Sequence, residues 1–288
     1  MSKSPVEEVL DLLDLEKIEE NMFRGVSPKD RVQRVFGGQV LGQALVAAGR
    51  TVDGRVCHSF HAYFLRAGDP KVPILYEVDR SRDGTSFTAR RVVAIQHGRQ
   101  IFTLAASFQI PEQGLEHQFD MPSVEGPETL LDEHTLRLRE IDRLPEEARE
   151  WALRPRPIEI RPVQPRGFFD RGRHPPFDNI WIRATGPVPD DVVLQQAMLA
   201  YASDMSLLDT ALLPHGVGWH SGMQMASLDH AMWFHHPFRV DEWLLYAQDS
   251  PSASGARGFN RGAVYTREGK LVASVIQEGL MRQRPPRR

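Results

Sequence analysis

At 288 residues, with 41% hydrophobic and 25% charged residues, the chain has the composition of a soluble globular protein and room for two domains or one doubled one. A net charge of -3, with no basic block outside the closing "MRQRPPRR", argues against a nucleic-acid surface, and no apolar run is long enough for export or for spanning a membrane. A single cysteine, Cys57, excludes an intramolecular disulfide framework and fits a reducing, cytoplasmic compartment.

The amphipathic, acidic start "MSKSPVEEVLDLL" carries a capping signature, Ser4 with Glu7 three residues on and Pro5 at the first helical position. It predicts a short helix burying Val6, Leu10, Leu13 and Leu15, with a polar strand over 16–24 after it. "VFGGQVLGQALVAAGRTV" predicts a helix entered through two glycines, with Val40, Ala44, Ala47 and Ala48 on a small-residue face. Four strand-like runs follow: "HSFHAYFL", "PILYEVDRS", "SFTARRVVAIQ" and "QIFTLAASFQ". "RDGTS" and "QHGRQ" separate the last three as tight hairpins, which makes neighbouring strands antiparallel.

Residues 112–156 are charged, helical in pattern and flanked by prolines, and predict an exposed connector helix. "IEIRPV" and "NIWIRAT" predict two strands, and an apolar run a long helix over about 190–212. Four more strands complete the chain: "MQMASLDHAMWFHHP", "EWLLYAQDS", "ARGFNRGAVYT" and "KLVASVIQEGLM". The closing "MRQRPPRR" predicts a frayed end, and "PPRR" is not the Ser-Lys-Leu peroxisomal address.

The two halves share one order, helix then four antiparallel strands, and residues recur at a spacing of about 170. His61-Ala62 answers His230-Ala231, Leu75-Tyr76 answers Leu245-Tyr246, Arg90 answers Arg261 and Gly98 answers Gly269. The expected fold is α+β, a double hotdog: two antiparallel sheets, each wrapped around a long central helix. Its expected parts are an N-terminal hotdog over 1–111, a connector with a helix over 112–156 and a C-terminal hotdog over 157–288.

"MASLDHAMWFHHPF", residues 225–238, packs one carboxylate and three histidines into an apolar run. Read as one strand, it puts Met225, Ser227, Asp229, Ala231, Trp233 and His235 on one face, and Leu228, His230, Met232, Phe234 and His236 on the other. Such a strand cannot by itself close a three-ligand metal site. Asp204 lies in "LAYASDMSLLDTALLPHG" with Ala200, Tyr201, Leu207 and Leu208 one turn away, so its carboxylate is expected on an apolar stripe, where an unpaired charge is costly. It is either a helix-terminal Asp facing water or a buried group supplied with donors by the fold. Ser227 and Gln277 are candidate donors. Gln277 follows "VASVI" in the last strand, on the face of Val275, where an amide is either an edge position or a functional one. The first half carries His58 and Ala106 at the matching places.

"YASDMSLLDTALLPHG", "MASLDHAMWFH", "EWLLYAQDSPSASGARGFNRG" and "LVASVIQEGLMR" resemble the type II acyl-CoA thioesterases, TesB-like double-hotdog enzymes. "NMFRG", "VFGGQVLGQAL", "HSFHAYFLRAGDP" and "DGTSFTARRVVAIQ" extend the resemblance over almost the whole chain, 112–156 excepted. The resemblance implies Asp204, Ser227 and Gln277 as catalytic residues, with Ser where the bacterial pattern has Thr. It also implies an acyl-CoA substrate cleaved to fatty acid and coenzyme A by general-base-activated water, no cofactor, no metal, and a homo-oligomer, dimer or tetramer.

No G-x-S-x-G elbow surrounds Ser227, and alternation turns His230 to the other face, against a serine triad. His58, His61 and Cys57 are expected to be core or interface residues. The Gly37-Gly38 pair is expected to serve close helix–sheet packing, with approach to a carbonyl or phosphate as the alternative. Arg90, Arg91, Arg257 and Arg261 are candidates for coenzyme A phosphates or plain solvated strand residues. Two rivals stand beside the hydrolase: a hotdog enoyl-CoA hydratase using Asp229 and His230, and an acyl-CoA-binding sensor without catalysis.

Overall fold

The capping box forms as its spacing predicts. In the computed structural model, which describes residues 3–28, 34–144, 146–167, 169–217 and 222–283, the Ser4 hydroxyl accepts from the Glu7 N–H and the Glu7 carboxylate accepts from the Ser4 N–H. Helix α1 (Pro5–Leu13) follows and buries Val6, Val9 and Leu13. Strands β1 (Glu16–Glu19) and β2 (Met22–Gly25) lead to helix α2 (Gly37–Gly49), which is buried from Gly38 to its end. Its polar side chains are satisfied inside: Gln43 donates to the Leu12 and Val26 carbonyls and accepts from the buried Tyr76 hydroxyl.

Strands β3 (Val56–Phe64), β4 (Ile74–Asp83), β5 (Phe87–Gln96) and β6 (Arg99–Gln109) complete the first half. The His97-Gly98 hairpin has both residues at positive φ, 50° and 67°, the twist a two-residue turn needs. Helices α3 (Glu133–Leu138) and α4 (Glu146–Leu153) replace the single exposed connector helix expected. The segment also lies closer to the body than its charge suggests. Leu144 and Ala152 are buried, and the Glu125 carbonyl accepts from the Trp181 indole.

The second half holds β7 (Ile158–Pro162), β8 (Phe177–Ala184), α5 (Val192–Ser203), β9 (Met223–Ser227), β10 (Asp229–Phe234), β11 (Leu244–Ser254), β12 (Arg257–Thr266) and β13 (Leu271–Gln283). The long helix expected over 190–212 stops at Ser203 and resumes as a 3₁₀ helix at Leu207–His215. The apolar pattern runs through this break, but the hydrogen bonds do not. The Asp204 N–H turns to the Ala202 carbonyl, and Ser206 and Thr210 bind the Gln248 side chain on β11. Of the closing tail, residues 281–283 finish β13, and 284–288 lie outside the described residues.

All strands belong to one antiparallel sheet in the order β1-β2-β4-β5-β6-β3-β10-β13-β12-β11-β8-β7, with β9 also pairing β13. The two sheets expected are therefore joined into one through β3 and β10, with Ala62 opposite His230 and Phe60 opposite Met232. The order is palindromic about that seam, so each half repeats the other's connectivity. Burial corrects two of the matches read from the sequence. His61 is exposed and His230 is not, so Phe60 takes His230's place; Arg90 is buried and Arg261 exposed, so Arg90 answers Asn260.

α2 and α5 run antiparallel at the centre, and glycine lets their backbones touch. A Cβ on Gly42 would lie 3.0 Å from the Ala197 carbonyl oxygen, and one on Gly38 would overlap that of Tyr201. This crossing brings the N-terminus of α2 to the C-terminus of α5, where Asp204 sits.

Candidate active site

Asp204 is a helix-terminal residue that points inward, so neither sequence alternative holds whole. It is the C-cap of α5, and its side chain is only 5% exposed. One oxygen, Oδ1, accepts from Gln277 Nε2 at 2.6 Å and from the Ser227 hydroxyl at 3.3 Å. Gln277 Nε2 also lies 3.0 Å from Ser227 Oγ, so the three side chains close a triangle. The Gly38 N–H, at the start of α2, favours the ionised form of the same carboxylate. A carboxylate at a helix N-terminus meets unpaired N–H groups and the positive end of the dipole.

Burial nevertheless dominates. It raises the Asp204 pKa from 3.8 to about 6, against the opposing pull of Gln277, Ser227, the Gly38 N–H and the Arg34 charge. The group is then ionised at neutral pH and basic enough to take a proton. Gln277 is fully buried, from a strand face shared with Val275. Its amide nitrogen must face Asp204, because a carboxylate oxygen only accepts. Gln277 Oε1 is consequently a buried acceptor without a partner among the described residues, as is His230 Nδ1.

The strand containing Ser227 departs from simple alternation. Ser227 lies opposite Gly279 but Ala231 opposite Ile276, so Leu228–Asp229 carries one extra residue against β13. This β-bulge breaks the parity count. Ser227 and His230, expected on opposite faces, both reach Asp204: His230 Nδ1 lies 3.9 Å from Oδ1. His230 does not approach Ser227 as a triad base, since its Nε2 is 3.0 Å from the Ser203 hydroxyl. Asp229 turns away, half-buried, and accepts from the Glu278 N–H at 2.6 Å, so Asp229 and His230 do not converge as a hydratase pair.

Two further residues border the site. Gly37 is bare where a Cβ would lie 2.6 Å from Asp204 Oδ2 and 3.1 Å from the Phe64 ring. The glycine pair was visible in the sequence, but not its neighbour. Arg34 is exposed, contacts the Met225 carbonyl at 3.4 Å and pairs with no carboxylate among the described residues. The arginines singled out from sequence are mostly committed. Arg90 is buried against Thr51 and Asp83, Arg257 pairs with Glu278 and Arg261 with Asp249. His58 bonds Ser107, His61 stacks edge-on against Trp233, and Cys57 is buried with its thiol pushed up to about 12. Among the described residues no group of three His, Cys, Asp or Glu is placed to hold a metal, and no helix is long and apolar enough to cross a membrane.

Two family models match this chain, one described as acyl-CoA thioesterase over residues 153–280 and one as acyl-CoA thioesterase N-terminal domain over 27–109. The human acyl-coenzyme A thioesterase 8 is 45% identical over 287 residues, covering 96% of this chain and 89% of that protein. The crystal structure of TesB2, an acyl-CoA thioesterase II from Mycobacterium marinum, is 42% identical with a TM-score of 0.80, covering 97% of this chain and 100% of the other. A conserved protein of unknown function with a hot dog fold, from Alicyclobacillus acidocaldarius, superposes with a TM-score of 0.76 at 18% identity, over 96% of this chain and 99% of that one. That last likeness is one of fold alone.

Proposed function

We propose, from the premise that this chain belongs to the type II acyl-CoA thioesterases and hydrolyses acyl-CoA, that Asp204 is the general base, with Ser227 and Gln277 placing the attacking water. The observation that carries this reading is the convergence of Gln277 Nε2 and the Ser227 hydroxyl on one buried carboxylate oxygen. Water takes their shared corner, donating one hydrogen to Asp204 and the other to the Ser227 hydroxyl oxygen, which Gln277 Nε2 holds in place. Asp204 removes a proton as the oxygen bonds to the thioester carbon. The C–S bond then breaks, and the departing thiolate recovers that proton. A base so placed contributes about 10² to 10⁴ in rate. Thiolate is a good leaving group, so no covalent acyl-enzyme is needed.

The test is thiol release from acyl-CoA by Ser227→Ala, Gln277→Ala and the double variant. Groups that hold one water act as a unit, so the double variant is expected to lose little more than the worse single one. Losses that multiply, or an acyl adduct on the chain quenched in turnover, would overturn the reading. The intact donor set also favours an enzyme over a binding-only sensor.

The acyl chain is taken to be a fatty one, bound with its coenzyme A phosphates toward solvent. Arg34, whose charge acts on Asp204 and which pairs with no carboxylate among the described residues, is a candidate for such phosphates. Arg34→Gln is expected to raise KM for acyl-CoA about fivefold at low salt, with the difference shrinking at high ionic strength. Steady-state kinetics at two salt concentrations check it.

In this reading the palindromic sheet is two hotdogs fused edge to edge, 1–111 and 157–288, with 112–156 as the connector. The chain works in the cytoplasm as a homo-oligomer, which would cover apolar surface left open at Tyr63, Leu65 and Leu75.

A further inference from the structure

His230 is fully buried beside the site, yet water attack as described gives it no task. Its tautomer follows from its neighbours. The Ala200 carbonyl would accept the Asp204 N–H in a continuing helix, but that N–H goes to Ala202. The Ser203 hydroxyl serves Ala200 instead, at 2.9 Å. With its one hydrogen committed, Ser203 Oγ can only accept from His230 Nε2 at 3.0 Å. Nε2 therefore carries the ring proton and Nδ1 is a bare lone pair. Stacking on Phe60, with centroids 6.2 Å apart, holds the ring plane.

That lone pair has an acceptor for a neighbour. Nδ1 stands 3.9 Å from Asp204 Oδ1 and has no hydrogen-bond partner among the described residues. Two acceptors facing each other across 3.9 Å in a buried site repel while Asp204 is ionised, and draw together to hydrogen-bond length once a proton lies between them. We infer that His230 is a positioning residue whose bare Nδ1 receives, as a hydrogen bond from Asp204, the proton that Asp204 takes from water. The inference rests on Asp204 being the base.

The proton stays on Asp204 throughout. Burial drives the His230 pKa down to about 3, so the imidazole accepts a hydrogen bond without becoming a cation. When the C–S bond breaks, the thiolate takes the proton from Asp204 and Nδ1 is bare again. The other groups packed there do not supply this acceptor. Arg34, before α2, favours the carboxylate; Tyr246 on β11 is held neutral and donates to the Ser203 carbonyl. Asp229 on β10 is tied to the Glu278 N–H, and the Glu278 carboxylate on β13 pairs with Arg257.

The test compares pH–rate profiles of the wild type, His230→Gln, His230→Asn and Asp204→Asn with acyl-CoA. His230→Gln keeps an amide near Ser203 and removes the acceptor at the Nδ1 position; His230→Asn puts an amide oxygen there and gives up Ser203. His230→Gln is expected to lose about tenfold in kcat with KM unchanged. Its acid limb should move down by about one pH unit, because Asp204 loses the acceptor that favours its neutral form. His230→Asn should retain most of both. Equal losses in the two variants with an unmoved limb would make His230 a packing residue and overturn the inference. Full activity in Asp204→Asn would sink the base reading instead. The histidine ¹⁵N spectrum of the wild type supplies a check free of folding defects: Nδ1 should be unprotonated and respond as Asp204 titrates, and an Nδ1–H tautomer would refute the inference.

Discussion

Asp204→Asn is expected to lower kcat/KM for acyl-CoA by about a thousandfold while making the fold more stable, by about 2 kcal/mol at pH 8. The loss follows from removing the proposed base. The gain follows from burial, which raises the folded pKa from 3.8 to about 6. Above that value the folded protein holds a carboxylate in a site that disfavours its charge. Below about pH 4 both folded and unfolded chains are protonated and the penalty is gone. The neutral amide escapes the penalty, and its donors are satisfied once Gln277 turns its oxygen toward position 204. The stability difference should therefore be largest at pH 8 and fade as pH falls through 6 toward 4, the opposite of the trend for an ion-paired Asp. Chemical denaturation at several pH values measures it. A destabilised variant at pH 8 would mean that the hydrogen bonds, and not desolvation, dominate. The wild-type acid limb of kcat/KM should fall with an apparent pKa near 6.

Gly38→Ala and Gly37→Ala should separate fold from chemistry, although the residues are adjacent. A Cβ on Gly38 would overlap the Tyr201 carbonyl oxygen, a backbone atom that cannot rotate away, and would press on the Phe36 ring. α2 and α5 would have to move apart at their closest approach, and a cost of about 3 kcal/mol is expected. On Gly37 the Cβ would meet the Asp204 carboxylate, a side-chain atom, at 2.6 Å. That displacement costs less stability but carries Oδ1 away from Ser227 and Gln277, so about a hundredfold loss of kcat with a near-normal melting temperature is expected. Thermal melts beside thiol-release rates for both variants check the contrast. Loss of activity and stability in parallel would mean that the start of α2 serves packing alone.

Much of this arrangement is written in local sequence. The capping box, the glycine hairpin and the doubled order of elements each depend on a few adjacent residues or a long-range repeat. So does the conflict that marks the site, a carboxylate and an amide in otherwise apolar runs: Gln277 shares a strand face with Val275 and is fully buried as that alternation implies. The resemblance read from the motifs implies the same residues. Three features are not readable this way. The bulge at Leu228–Asp229 reverses the parity of Ser227 and His230, and it exists only against β13. The end of α5 at Ser203 lies within an apolar pattern that continues, and the residues beyond the break are held by Gln248 on a distant strand.

The third is the meeting of the halves. Chain-local pattern marked Asp204 and Gln277 as polar groups in apolar runs, where burial is costly, and left open whether each faces water. Only tertiary structure decided what they meet there. The N-terminus of α2 reaches Asp204 because the two helices cross antiparallel on glycine. His230 arrives because an extra residue shifts its strand. Both are distances between segments far apart in the chain, and a one-residue change of register alters them while leaving every local pattern intact.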